Sequence, residues 1–374
     1  MKGLINTIRT VVGILFIISG AVKANDPHGL AYKMDEFFET WASSGFLPHL
    51  MNWIQRFSLE FSIVMISLEV IVGLGLLLGE WKKFFVWATL ILMIFFTWLT
   101  GYAALSGKIA TCGCFGDCLP LTSMQSFIKD IVLLALAIVL VLGMKWIRPR
   151  MAMASNVLIL LLGVFAVAGF QWYVLKNLPL VDCLPFKVGN DILELRKMPA
   201  DAVPDKIDYH FIYEKGGNQK EFTIRDLPDS TWTFVNRKDV VVQKGSNNEP
   251  PIKDYILMTP SGEDTTQSVL SLDADYYLFY VKDVMNTSRR WSKTFNKIFS
   301  LAQEEKRPLL VVSADPEGAQ QYFNQKYQLH LPILSLDATS FKTVARTNPE
   351  LYLMHGPVVK AKWAGDSLDK AVQK

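Results

Sequence analysis

Four cysteines, Cys112, Cys114, Cys118 and Cys183, stand in a chain of 374 residues, and three of them crowd into the stretch Thr111 to Pro120. Disulfide exchange proceeds by attack of a thiolate on a disulfide sulfur, and a second nearby thiol must then resolve the mixed disulfide. Cys112 and Cys114, one glycine apart, meet that need. A bridge across a single residue is sterically tight, which makes it more oxidising and more labile than a structural bridge. Gly113 permits the backbone distortion that such a bridge demands. Placed at a membrane surface, the pair could undergo thiol-disulfide exchange with a partner in the aqueous phase and pass electrons taken from it to a lipid-soluble acceptor. Three other chemistries compete. The cysteines could form purely structural disulfides in an oxidising compartment, or stand as reactive thiols without partners. They could also join Cys183 in a metal site, although C-x-C-x-x-x-C lacks the usual zinc spacing and no histidine lies close in sequence.

The compartment therefore decides, and topology sets the compartment. The chain is 51% hydrophobic and only 20% charged, too apolar for an ordinary soluble protein of this length. Its net charge of +3, without a long basic run, gives no footprint for nucleic acid. Five stretches approach the roughly 20 apolar residues that span a bilayer: Thr10 to Ala24, Phe61 to Gly79, Phe85 to Leu105, Phe127 to Gly143 and Val157 to Leu175. Lys2, Arg9, Lys82, Lys83, Lys145, Arg148 and Arg150 gather on one side of these spans, whereas Lys23, Lys108, Lys129 and Lys176 are scattered on the other. The positive-inside rule then places the N-terminus in the cytoplasm and all four cysteines outside. The first span is also short enough to read as a cleaved signal peptide, with Val22-Lys23-Ala24 as a loose cleavage site, and this would leave the orientation unchanged.

In the first outer loop, Leu30, Met34, Phe37, Phe38 and Trp41 recur at helical spacing, opposite Asp35, Glu36 and Glu39. Such a helix lies on the outer interface or packs across the mouth of the bundle. Glu69 falls near the middle of the second span, where an unpaired carboxylate costs a few kcal/mol or more. It is expected to face the bundle interior, as a proton carrier, as a hydrogen-bond partner for a bound ring, or as a protonated group bonded across helices. Lys129 and Asp130 open the fourth span, and a tie between Asp130 and Lys23 is one way to satisfy both charges.

Beyond Lys176 the pattern turns to short strands and helices with turns, as at Tyr213 to Asn218 and Asn247 to Pro251. The last hundred residues predict strands over Tyr276 to Val281, Pro308 to Val312, Ile333 to Leu336, Leu351 to Met354 and Val358 to Trp363. Between them the periodicity predicts helices over Ser288 to Glu304, Pro316 to Tyr327 and near Phe341. Asp315-Pro316 is an N-cap followed by proline at the first helical position, and His355-Gly356 joins the last two strands. This order resembles thioredoxin over residues 250–374. Asn348-Pro349 precedes a strand where thioredoxin-like proteins keep a cis-proline. Where such proteins carry a redox CxxC this chain reads Met285-Asn286-Thr287-Ser288, so the domain is expected to exchange no disulfides by itself.

Residues 9–27, RTVVGILFIISGAVKANDP, resemble the opening of DoxX-like membrane proteins, and Cys112-Gly113-Cys114-Phe115-Gly116 resembles the loop motif of the MauE family. The resemblance covers roughly residues 1–150, and the longer layout is similar to DoxX-family proteins of Bacteroidetes. It implies a membrane bundle tied to thiol, sulfur or quinone redox chemistry, with a periplasmic thiol protein as partner and a quinone as electron acceptor. Cys118 and Cys183 fall outside the motif. If Cys112 and Cys114 pair with each other, the two left over are expected to pair too, tying the outer domain to the loop; the alternative is a relay in which Cys118 exchanges with Cys114.

The expected fold is therefore an α-helical transmembrane bundle over residues 1–150 with a fifth span at 151–178. A strand-rich periplasmic segment at 179–249 and a non-cytoplasmic α/β thioredoxin-like domain at 250–374 follow. The function expected in the bacterial inner membrane is thiol-disulfide oxidoreduction or its support, with Cys112, Cys114 and Glu69 carrying it and no metal. A non-catalytic assembly factor with structural disulfides and a small-molecule permease built on Glu69 are the alternatives.

Overall fold

The computed structural model describes residues 1–109, 113, 116–119, 121–243, 245–284 and 291–373. The chain opens with α1 (Lys2–Ala24), α2 (Pro27–Ser43), α3 (Pro48–Gln55), α4 (Ser58–Leu78), α5 (Lys82–Ser106), α6 (Ser123–Leu142) and α7 (Met153–Lys176). Of these, α1, α4, α5, α6 and α7 are long and apolar enough to cross a membrane. Most of them begin several residues before the corresponding apolar run in the sequence. The apolar runs mark only the part that hydrocarbon must cover, while polar residues carry the helices further. Thr122, for example, caps α6 by accepting from Gln125 N at 3.2 Å, and the Thr122 N–H donates to the Gln125 side chain at 3.1 Å.

Within the bundle α1 packs along α4, α5 along α6, and α7 lies against α4. Small residues set the first crossing. A Cβ at Gly20 would come within 2.6 Å of Val70 Cγ2, and one at Gly73 within 2.7 Å of the Gly13 carbonyl, so glycine lets the two backbones approach. Large apolar side chains such as Ile18, Val64, Trp87, Ile91 and Phe165 stay on the outside, as a lipid-facing surface requires. At one end the basic residues are held in place. Arg9 Nη1 donates to the Arg148 carbonyl at 3.0 Å, Lys82 Nζ to that of Ile147 at 3.0 Å, and Arg150 Nη2 to Thr10 Oγ1 at 2.7 Å.

At the other end the single helix expected in the first loop is two, α2 and α3. Gly45 (φ +81°) breaks the chain between them, and Pro48 starts α3 at a position where no backbone N–H is needed. The apolar face of α2 turns inward over the bundle mouth, which is the second of the two placements the periodicity allows.

After α7 come α8 (Ile192–Leu195), β1 (Lys206–Lys215), β2 (Asn218–Thr223) and β3 (Thr233–Gln243). The last three form an antiparallel sheet of order β2-β1-β3, with a tight turn at Gly216 and Gly217, both at positive φ. Next are α9 (Thr266–Leu270), β4 (Asp275–Val281), α10 (Ser292–Glu304), β5 (Leu309–Ser313) and α11 (Pro316–Ala319), followed by β6 (Ile333–Ser335), α12 (Ala338–Val344), β7 (Glu350–His355), β8 (Val358–Ala364) and α13 (Asp369–Val372). The helix expected from Pro316 to Tyr327 widens into a π-helix over Gln320–Lys326, and both Tyr322 and Phe323 are buried.

The second sheet has the order β6-β5-β4-β7-β8, with β4, β5 and β6 parallel and β7 and β8 antiparallel. Central β4 alternates between two cores. Tyr276, Leu278 and Tyr280 meet Phe186, Ile192, Tyr255 and Phe341 on one face, and Tyr277, Phe279 and Val281 meet α10 through Phe295 and Ile298 on the other. Each such side chain fully removed from water contributes about 1.5–3 kcal/mol. Phe186 and Ile192 place the stretch just after α7 in the same core as residues 252–359, with the three-stranded sheet between them in sequence. The expected helix start at Ser288, and Met285 to Ser288 themselves, lie outside the described residues.

Candidate functional site

The α1/α4 pair and the α5/α6 pair enclose a cavity of about 460 Å³, roofed by α2. Its walls are largely apolar and aromatic, with Phe16, Phe37, Phe38, Trp41, Phe95, Phe96 and Trp98 among them. Phe61 on α4 and Phe95 and Trp98 on α5 line it and are also exposed on the outside of the bundle. Two polar clusters interrupt the walls. Lys23 and Glu69 form an ion pair with side chains only 5% and 2% exposed, and Ser19 Oγ donates to Glu69 Oε2 at 3.0 Å. Across the bundle, Asp130 pairs with Lys129 at 2.7 Å and accepts from Thr100 Oγ1 at 3.1 Å.

The tie between Asp130 and Lys23 is thus replaced by Lys23 with Glu69. The close approach of α1 and α4 at Gly20 brings those two side chains together, and Asp130 has its own partners on α5 and α6. Desolvating both charges is costly, and their mutual attraction offsets that cost only because each is paired.

The cavity also reaches Gly113, the residue between Cys112 and Cys114. Cys112 and Cys114 lie outside the described residues. Gly113 has φ +63°, accepts from the Gly116 N–H at 3.0 Å, and is so close to Lys33 that a Cβ would stand 2.9 Å from Lys33 Cγ. Only glycine combines that conformation with that contact. Gly116 is also at positive φ, and a Cβ on it would lie 3.8 Å from Val22 Cγ1, so the loop rests on the end of α1 and on α2.

Cys118 is bonded to Cys183, with Cα atoms 5.0 Å apart. Bonded to each other, neither is available to a four-cysteine metal site. Each half-cystine follows an aspartate, and each aspartate is gripped by the α/β unit. Asp117 accepts from Arg346 Nη2 at 2.7 Å, and Asp182 from Lys362 Nζ at 3.0 Å. Arg346, with its side chain 6% exposed, also donates from Nε to Asp26 at 2.7 Å and lies over the Tyr32 ring at 5.3 Å. Asp26 in turn accepts from the Gly29 N–H at 3.1 Å as the N-cap of α2. One guanidinium thus joins α2, the cysteine loop and the α/β unit.

Further contacts extend the seam. Lys342 pairs with Asp35 at 3.0 Å, and the Asn25 amide exchanges hydrogen bonds with the backbone of Val181 at 2.8 and 3.1 Å. Buried Glu350 accepts from the N–H groups of Arg346 and Thr347 and pairs with Lys362 at 3.3 Å. The Asn348-Pro349 peptide bond is cis, and the Asn348 side chain accepts from the Lys282 N–H at 2.9 Å. Burial at the seam pushes His28 below the usual histidine range, with Arg346 and Lys282 adding to the effect and Asp26 opposing it. Tyr32 is pushed up to about 12, chiefly by burial.

Sequence reasoning missed Arg346, Lys342 and Lys362, each a single basic residue in an ordinary helix, turn or strand. The one signal available was the repeated Asp-Cys pair, Asp117-Cys118 and Asp182-Cys183.

Residues 1–143 match the family model described as Methylamine utilisation protein MauE, and residues 207–244 match one described as Domain of unknown function (DUF8463). The latter falls on the three-stranded sheet. Among curated proteins, Protein TlpB of Flavobacterium psychrophilum is 28% identical over 137 residues, 36% of this chain and 35% of that protein. The chain thus spans about a third of the length of the curated relative it matches. No solved structure matches. With five membrane-crossing helices, four of them in the matched region or ending at its edge, the chain is a multi-pass membrane protein.

Proposed function

We propose that this chain, whose residues 1–143 carry a MauE family domain, is a membrane-embedded thiol-disulfide oxidoreductase acting outside the cytoplasm. Cys112 and Cys114 are its exchanging pair and a quinone is its electron acceptor. The observation that carries this reading is the cavity running from the buried Lys23–Glu69 pair to Gly113. It joins the backbone between the two cysteines to a ligand-sized, largely apolar space inside the bundle. In the forward direction Cys112 and Cys114 take a disulfide from no one: they give two electrons and two protons to the quinone, form a bridge, and that bridge is then reduced by an external dithiol. Glu69 acts beside the acceptor within the membrane.

The basic end formed by Arg9, Lys82, Arg148 and Arg150 supports a cytoplasmic N-terminus in the inner membrane, with the cysteine loop and the α/β unit in the periplasm. The sheet order β5-β4-β7-β8, two parallel strands followed by an antiparallel pair, supports a thioredoxin-like α/β unit. With Met285 to Ser288 where its CxxC would stand, that unit needs a separate periplasmic thiol protein as the source of electrons.

The test is the redox state of each cysteine in intact cells, read by alkylation before and after reduction and by equilibration against thiol buffers. Under this reading Cys112 and Cys114 cycle at a readily reducible potential while Cys118 and Cys183 stay oxidised. Four cysteines that remain oxidised in every buffer short of denaturation would sink it. That outcome would favour an assembly factor with structural disulfides, which the bracing of Cys118–Cys183 by Arg346 and Lys362 also fits.

A further inference from the structure

The oxidoreductase reading leaves open which groups hold the acceptor and which way electrons run. The cavity is built unlike a simple lipid slot. An acyl chain would find the apolar walls sufficient, and a polar metabolite would find too few partners along them. A buried ammonium at one wall calls for a ligand with an apolar, flat body and an oxygen that gains negative charge.

Lys23 meets that description. Its ammonium has three N–H donors, of which Glu69 takes one, and it lies 5.1 Å from the centre of the Phe96 ring on the cavity wall. Ser19 Oγ holds the second oxygen of Glu69 at 3.0 Å. The ammonium is therefore held beside its counter-charge at the wall of a low-dielectric space, where its N–H groups act on a neighbouring oxygen more strongly than they would in water. Lys33, Lys129 and Asp130 also border the cavity, but Lys33 pairs with Glu36 at 2.8 Å and Lys129 with Asp130 at 2.7 Å, and both lysines are about a quarter exposed. Lys23 is the deeply buried cation among the described lining residues.

We infer that Lys23 receives a carbonyl oxygen of a quinone-class ring seated against Phe96, Phe37 and Trp41, and that Glu69 is the positioning residue that holds Lys23 there. This rests on the oxidoreductase reading for its reaction but not for the binding itself. An ammonium N–H donated to a ring oxygen favours the reduced ring, on whose oxygens electron density accumulates, so the contact favours electron flow from the dithiol to the ring. Two thiols lose two electrons and two protons as the S–S bond forms, and the ring takes both to become a hydroquinone.

The test uses the full chain in lipid nanodiscs and a short-chain benzoquinone as probe, with binding read by quenching of tryptophan fluorescence. Saturable quenching is expected, weakened about tenfold in Lys23→Met, preserved in Lys23→Arg, and competed by the hydroquinone. Because Lys23→Met leaves a buried carboxylate unpaired, the double variant Lys23→Met/Glu69→Met is measured beside it and is expected to lose affinity while staying folded. The bound probe's midpoint potential is expected to fall in the double variant. Equal binding and equal potential in wild type and the double variant would overturn the assignment, as would unsaturable quenching that marks mere partition into lipid. If the probe binds through Lys23 while Cys112 and Cys114 never change redox state, the site stands and the oxidoreductase reading fails. If the cysteines reduce the quinone with Lys23 replaced and binding unchanged, the reading stands and this site fails.

Discussion

Asp117, one residue before a half-cystine, and Arg346, two residues past the end of α12, meet at 2.7 Å although 229 residues separate them in sequence. The same guanidinium grips Asp26, whose side chain is 15% exposed against 40% for Asp117. The two carboxylates are therefore unequal. Removing Arg346 strands a mostly buried Asp26, which costs a few kcal/mol, whereas the contact with Asp117 is worth about 1 kcal/mol or less after solvent screening.

Arg346→Ala is thus expected to loosen the α/β unit from the bundle, seen as a lower Tm in detergent and faster proteolysis near residues 177–183. Arg346→Lys should restore little, because a lysine cannot present two parallel donors to two carboxylates. Asp26→Asn should cost more than Asp117→Asn. Equal effects of the two would show that the joint is an exposed contact after all.

The Cys118–Cys183 bridge closes a stretch of 65 residues. For a freely flexible loop of that size the chain-entropy estimate is about 4 kcal/mol. Much of this stretch is α6 and α7, which stay helical in the bilayer even when the outer parts unfold, so less entropy is at stake. Cys118→Ser/Cys183→Ser is expected to lower stability by about 2 kcal/mol on that reduced basis. It should leave the redox behaviour of Cys112 and Cys114 unchanged. A change in their potential in this variant would instead support a relay through Cys118.

These two joints also show where the sequence ran out. The spans were legible because hydrocarbon imposes a length and a composition on each of them. The α2 stripe of Leu30, Met34, Phe37, Phe38 and Trp41 was legible as a helix face, but periodicity does not say what the face meets, and it roofs a cavity. Lys23 and Glu69 were each visible as charges in apolar runs. Their pairing depends on Gly20, whose missing Cβ lets α4 approach, and a glycine in a membrane helix points to no partner. Arg346 and Lys362 carried no local signal, since the aspartates they grip lie 180 to 320 residues away.

The Lys23–Glu69 pair invites a double-mutant cycle on stability. Lys23→Met or Glu69→Met alone leaves an uncompensated charge inside the bundle and should cost about 3–5 kcal/mol. Removing both replaces the pair by apolar side chains of similar volume and should recover most of that loss. Additive losses in the double variant would mean that the two residues are stabilised by other groups and not by each other.

The seam should also sense acid through His28. Burial holds its folded pKa below the ordinary 6.5, so the folded chain keeps the imidazole neutral while an unfolded or undocked chain protonates it. Below pH 6.5 the undocked state binds more protons, and stability therefore rises with pH through this window and is lost as pH falls. The slope is at most about 1.4 kcal/mol per pH unit for one group. Glu350, whose buried carboxyl is pushed above the usual range, works with the opposite sign near the carboxylate range. Comparing wild type with His28→Gln isolates the imidazole. Proteolysis of the seam between pH 5 and 7.5 is expected to accelerate in acid for wild type and to depend less on pH in His28→Gln. Parallel profiles for the two proteins would place the pH response in other groups, with the ion pairs of Arg346 the next to examine.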